Sequence, residues 1–174
     1  MTQTGPDLGG AQLTTMDGEG RHWRGGFYFD GLTPGVTYRH RLTRTVTQMD
    51  NMLFSNMTMN PQPLHVDRHF CENDTQWGQP LMNSLFTLGL MIGMTVNDTT
   101  LGTTVANLGM SDVRFPKPIF HGDTIRVVTT VKDKRDSSSR PRQGIVTFLH
   151  EAYNQSNECV AICERAALMH RKPN

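Results

Sequence analysis

The sequence predicts an α+β domain in which an antiparallel sheet wraps around one long central helix. Three observations carry that prediction. One apolar run, residues 81–96, is long enough for a helix of about 24 Å and too short to cross a bilayer. Four segments rich in β-branched residues follow it, separated by turn-forming stretches. The chain has 174 residues, 36% of them hydrophobic, which suits a single domain with a moderate core.

Residues 1–26 are rich in Gly, Thr and Asp without apolar periodicity, and are expected to form a flexible N-terminal arm. The single domain is expected to span residues 27–174. It opens with F-Y-F-D-G-L-T-P-G, whose Pro-Gly turn leads into residues 36–46. There Val36, Tyr38, His40, Leu42 and Arg44 alternate and would share one face of a half-exposed strand. Thr47-Gln-Met-Asp50 has the form of a capping box, which starts a short helix carrying Met52, Leu53, Phe54 and Met57. Pro61 and Pro63 then impose an ordered, non-repetitive loop over residues 58–67. Asp67 is placed to cap a helix through His69, Phe70 and Cys71, with a catalytic role as the alternative.

Pro80 stands where a first helical residue is expected, so the central helix should begin there. The amides of Gly78 and Gln79 would then sit just before the positive end of its dipole, where a developing oxyanion can be held. Being apolar nearly all round, the helix reads as buried, and Gly89 and Gly93 read as points of close approach. Strands are expected over residues 105–115, 124–132, 144–153 and 159–169. The connections P-K-P-I-F-H-G-D, D-K-R-D-S-S-S-R-P-R-Q-G and N-Q-S-N-E suit antiparallel neighbours, with His121 as a turn residue.

Composition narrows the function. Lys and Arg total 17 against 16 for Asp and Glu, and no basic run is interleaved with aromatics, so no nucleic-acid partner is expected. Cys71, Cys159 and Cys163 form no C-x-x-C pair and leave one thiol over in any disulfide scheme, which points to a reducing, cytoplasmic setting and to no structural zinc. The N-terminus has neither a basic nor an apolar targeting region, and no segment is suited to a membrane. No metal and no separate cofactor are expected. The chemistry concentrates in T-M-N-P-Q-P-L-H-V-D, where the amides of Asn60 and Gln62 and the imidazole of His65 can converge. The same run also reads as a surface turn around a satisfied histidine.

Four motifs together, R-T-V-T-Q-M-D from Arg44, N-P-Q-P-L-H-V-D from Asn60, N-S-L-F-T-L-G from Asn83 and V-R-F-P-K-P-I-F-H-G-D-T from Val113, resemble the MaoC-like dehydratases, which are hotdog-fold enoyl-CoA hydratases. The second and third motifs look most like hydratases of branched dicarboxylic acyl-CoAs such as itaconyl-CoA or mesaconyl-CoA. The resemblance implies reversible addition of water to a 2-enoyl-CoA thioester, with coenzyme A as part of the substrate. In the family a D-x-N-P-x-H motif places an aspartate and a histidine around the water. Here the histidine corresponds to His65, the asparagine to Gln62, and the aspartate position holds Asn60, which cannot exchange a proton near neutral pH. His65 and Asn60 are therefore the catalytic candidates. Gln62, Gly78, Gln79 and Asn83 are candidates for substrate binding, and Arg140 and Arg142 for the coenzyme phosphates. The alternatives are a non-catalytic acyl-CoA-binding hotdog subunit and a hotdog thioesterase. An uncovered sheet edge and the family's intersubunit pocket imply a homodimer or a multiple of it.

Overall fold

A computed structural model describes residues 20–173. The elements, in chain order, are β1 (Thr37–Thr45), three short helices α1 (Gln48–Met57), α2 (Pro63–Val66) and α3 (Arg68–Asp74), and the long helix α4 (Ser84–Thr99). Four strands follow: β2 (Thr104–Arg114), β3 (Thr124–Asp136), β4 (Gln143–Tyr153) and β5 (Cys159–His170). All pair antiparallel in one sheet of order β1-β3-β4-β5-β2, with α4 lying across it. This is the expected α+β architecture. Among the described residues, no helix is long and apolar enough to cross a membrane.

The local signals at α1 and α3 act as the sequence implies. Thr47 accepts from the Asp50 amide while Asp50 Oδ2 accepts from the Thr47 amide at 2.9 Å, closing the capping box. Asp67 Oδ1 caps α3 by accepting from the Phe70 amide at 3.0 Å. The loop between them differs from expectation in one respect. Pro63 sits in the first turn of α2, so the stretch carries a helical turn that places His65.

The start of α4 is a correction. It lies at Ser84 with Asn83 as its N-cap, Asn83 Oδ1 accepting from the Leu85 amide at 3.0 Å. Residues 81 and 82 are held extended instead. The Leu81 amide donates to the Leu64 carbonyl at 3.1 Å, and the Met82 amide to the Ile119 carbonyl at 2.9 Å. These tertiary bonds override the helical pattern, and an Asn cap outcompetes Pro80 as a start signal. Nor is α4 buried all round. Leu85 is 62% exposed, and a Cβ at Gly89 or Gly93 would meet no atom within 4 Å. That face lines a groove of about 570 Å³ with Leu42, Phe54 and Phe86.

In β1 the expected face holds: the pairing with β3 shifts by two residues between Arg39 and Thr43, which keeps the alternation, so Tyr38 and His40 are buried while Leu42 and Arg44, on the same side, are exposed along the groove beside Gly89 and Gly93. Three further expectations change. The connection through Pro116 and Pro118 does not join neighbours. It carries the chain from β2 at one edge to β3 beside the other, and an isolated bridge between Leu81 and Phe120 pins it on the way. β3 also continues through Asp136, since β4 pairs with its charged end as far as Gly144. As for the N-terminal arm, residues 1–19 lie outside the described residues, but 20–26 are docked. The Gly26 amide donates to the Leu101 carbonyl at 3.1 Å, and a Cβ on Gly26 would stand 2.4 Å from that oxygen. Arg21 stacks on the Phe27 ring.

Two apolar clusters form the core, one around Met91, Ile125, Val127 and Ala152, the other around Tyr38, Val131, Phe148 and Ala167. A buried polar chain separates them. On β3, Thr129 stands between Val127 and Val131; on β4, His150 stands between Phe148 and Ala152; on β5, Arg165 stands between Cys163 and Ala167. Arg165 Nε donates to His150 Nε2 at 3.2 Å, so the neutral His150 carries its proton on Nδ1 and donates to Thr129 Oγ1 at 2.8 Å. Thr129 then donates to His40 Nε2 at 2.7 Å, and His40 Nδ1 donates to Asp98 Oδ2 on α4 at 3.3 Å. Every link runs one way, from a group that only donates to one that only accepts. Arg165 Nη2 remains buried with no hydrogen-bond partner among the described residues. Burial, Arg165 and His40 hold His150 well below the ordinary histidine value, and burial outweighs Asp98 in lowering His40.

Both histidines are therefore neutral in the folded protein, while the unfolded chain protonates them below about pH 6.5. A base with a depressed folded pKa contributes stability that is whole above its unfolded pKa and is lost as pH falls through it. Urea unfolding should show a midpoint that drops steadily from about pH 7.5 to about pH 5.5, where carboxylates still hold their charge. A midpoint flat across that window would contradict the neutral chain.

Candidate active site

His65 projects from the single turn of α2, whose geometry Pro63 sets. Its Nδ1 lies 3.0 Å from the Leu81 carbonyl oxygen. A carbonyl only accepts, so the ring proton resides on Nδ1 and the Nε2 lone pair is left unprotonated in the neutral ring. That is the state required of a general base. His65 is half-buried.

The acceptor of that proton is itself fixed by Asn51, a residue on α1 that sequence reasoning passed over. Asn51 is fully buried. Its Nδ2 donates to the Leu81 and His65 carbonyls, each at 2.8 Å, and its Oδ1 accepts from the Asn83 amide at 2.9 Å. His121 Nε2 lies 3.3 Å from the same Nδ2, and burial together with Arg68 lowers the His121 pKa. A signal for Asn51 exists in the helix pattern. α1 turns Met49, Leu53 and Met57 outward and buries Asn51 and Ser55, so its polar face is the inner one. Of these two inward polar side chains, one turn apart, Asn51 is the one whose amide is fully engaged.

Asn60 occupies the other end of the loop. Its Oδ1 accepts from the Gln62 amide at 3.0 Å and its own amide donates to the Ser55 carbonyl at 2.9 Å, so it builds the turn that delivers α2. Gln62 is the N-cap residue of α2, with an exposed side chain. Asn83 is buried as the cap of α4, and its amide meets Asn51 rather than the open cavity. Gly78 and Gln79 do not precede the helix directly. They are exposed in the loop after α3, Gly78 with φ of 65°, so the dipole's positive end falls to the amides of the turn beginning at Ser84. Ser84 and Thr87 line a cavity of about 260 Å³ with Trp77, Leu81 and Ile119, beside the carbonyl that holds His65.

Arg140 and Arg142 are not brought to this site within one chain. They occupy the β3–β4 turn, where Arg140 donates to Gln143 Oε1 at 3.4 Å. Arg142 borders a hollow of about 470 Å³ with His22, Gly102 and His170, near the C-terminal end of α4. The length of α4, about 24 Å, separates the two ends.

Comparison with known proteins bears on the family and the fold. The family described as MaoC like domain matches residues 31–154. A mesaconyl-CoA hydratase of Cereibacter sphaeroides is 29% identical over 153 residues, which are 84% of this chain and 42% of that protein. The chain thus spans less than half the length of the curated relatives it matches. A monoamine oxidase regulatory protein from Archaeoglobus superposes with a TM-score of 0.76 at 32% identity, over 85% of this chain and 97% of that one. A Mycobacterium tuberculosis protein described as a double hotdog fold gives a TM-score of 0.77 at 23% identity, over 86% of this chain and 46% of its own. The sheet wrapped on α4 is a hotdog fold.

Proposed function

The chain belongs to the MaoC-like domain family, and from that premise we propose that it adds water reversibly to the double bond of a 2-enoyl-CoA thioester. The observation that carries this reading is the His65 ring. With Nδ1 donating to the Leu81 carbonyl, Nε2 is free to take a proton from the attacking water and, as imidazolium, to return one to the α-carbon. The amide nitrogen of Asn60, whose Oδ1 is engaged with Gln62, orients that water without accepting its proton. Amides at the start of α4 receive the thioester oxygen as negative charge builds on it. Coenzyme A enters as part of the substrate, and no further cofactor is invoked. A branched dicarboxylic acyl group is the finer reading, supported by the likeness to mesaconyl-CoA hydratase.

The working unit is a homodimer. Among the described residues β2 has a strand on one side only, and Val105, Leu108, Met110 and Val113 are exposed along it. A long apolar edge of this kind is normally paired. A two-fold axis makes β2 antiparallel to its copy. The start of the partner's β2, close to its His170, then lies at the end of β2 that leads into the cavity wall at residues 115–119. Arg142 of the partner subunit, whose guanidinium has no partner among the described residues, thereby reaches toward the coenzyme phosphates. This recovers in two chains what one chain keeps apart. Light scattering should give a dimer or a multiple of it at micromolar concentration, and a stable, active monomer would sink the composite site.

A second reading, a subunit that binds acyl-CoA without turning it over, draws on Asn60 standing where the family has an ionisable group. The two readings part in mutagenesis. His65→Ala should lower turnover of an enoyl-CoA by about 100-fold or more while leaving binding of a saturated acyl-CoA nearly intact. Asn60→Asp keeps the turn-forming oxygen, restores a carboxylate, and should shift preference from dicarboxylic toward simple enoyl-CoAs by charge repulsion. Equal kinetics for the wild type and both variants would place the site on the wrong loop.

A further inference from the structure

We propose that Asn51 is a positioning residue for His65: by gripping both the His65 main chain and the carbonyl that holds its ring, it selects the tautomer in which His65 meets substrate. The proposal rests on the reading of His65 as the proton-transfer group.

The orientation of the Asn51 amide follows from its partners. The Asn83 amide can only donate and lies 2.9 Å from one terminal atom, which must be oxygen. The Leu81 and His65 carbonyls can only accept and lie 2.8 Å from the other, which must be nitrogen. All three partners are main-chain groups, so no rotamer of a neighbouring side chain can reverse the assignment. The Leu81 oxygen then receives two donors, Asn51 Nδ2 at 2.8 Å and His65 Nδ1 at 3.0 Å, which together use its two lone pairs. One rigid planar group therefore connects the backbone of His65 to the acceptor of its own imidazole. Removing the amide leaves the Leu81 carbonyl restrained on one side only, and the Nε2–H tautomer, which presents no base to substrate, becomes accessible.

His121 fits the same arrangement. Both Nδ2 protons go to carbonyls at 2.8 Å, so His121 Nε2 at 3.3 Å can face that nitrogen only with its lone pair, as a neutral ring. Burial and Arg68 favour the neutral form as well.

Asn51→Asp isolates the donor function. It keeps the oxygen that accepts from the Asn83 amide and points a carboxylate oxygen at the two carbonyls in place of the donor. Asn51→Ser is the milder companion. Long-range proton–nitrogen correlation spectra of histidine-labelled protein read the tautomer of His65 directly, without reference to activity. In the wild type the neutral His65 ring should be Nδ1–H. Both variants should show Nε2–H or a mixture, and a kcat on enoyl-CoA lower by about 10- to 100-fold with KM little changed. Wild-type tautomer and kcat in either folded variant would overturn the proposal. Failure of both variants to fold would overturn it too, by making Asn51 a foundation of the fold. A tautomer shift in a protein that hydrates no enoyl-CoA would uphold the positioning role and count against the hydratase reading instead.

Discussion

Residues 81–83 are held extended from three directions, and the placement of both the long helix and the histidine follows from that constraint. Leu64 takes the Leu81 amide, Ile119 takes the Met82 amide, and Asn51 takes the Asn83 amide. Held in extended backbone by these bonds (φ −62°, ψ 127° at Asn83), the segment gives way to α4 only at Ser84, and Asn83 caps it. The same extended geometry turns the Leu81 carbonyl toward α1 and α2, where Asn51 and His65 both donate to it. One short segment thus fixes the positive end of a helix dipole and the ring that would work beside it.

The other end of α4 is fastened by a different device. Asp98 accepts from His40 and from the Arg41 amide at 3.2 Å, and the chain through Thr129 and His150 leads on to Arg165. A cation on β5 and an anion on α4 are buried and joined through three neutral side chains, His150, Thr129 and His40. Desolvation makes such charges expensive, and a fully aligned chain is what makes them tolerable. It also fixes register, since a slip of one residue in β3, β4 or β5 would carry its polar link to the opposite face of the sheet and break the chain. The apolar clusters on either side supply the burial, and the polar layer between them specifies how the strands meet.

Much of this was legible in the sequence. Strand positions, the capping box at Thr47, the cap at Asp67 and the long helix all rest on local patterns, and local patterns survive folding here. The losses have a common cause in long-range hydrogen bonding. Pro80 is a sound local start signal, defeated by main-chain partners at Leu64 and Ile119 that no window of sequence contains. The chain from β2 crosses to β3 because β5 claims the near side of β2, which is a property of the whole sheet. Of the candidate site, His65 and the turn at Asn60 were visible as a motif. Asn51 was not, because a polar residue in a helix ordinarily faces water, and only the outward apolar face of α1 betrays that this helix is inverted. Arg140 and Arg142 stand with their own chain's far end, so their place was a question of assembly.

A neutral His65 that activates water for addition leaves the thioester intact. Incubating the wild type with simple and dicarboxylic 2-enoyl-CoAs, while following the conjugated thioester absorbance and free thiol together, separates that chemistry from thioester cleavage. Hydration predicts that the absorbance falls on at least one substrate with no thiol released. Thiol release in step with the absorbance change, or no change on any enoyl-CoA that binds, would contradict it.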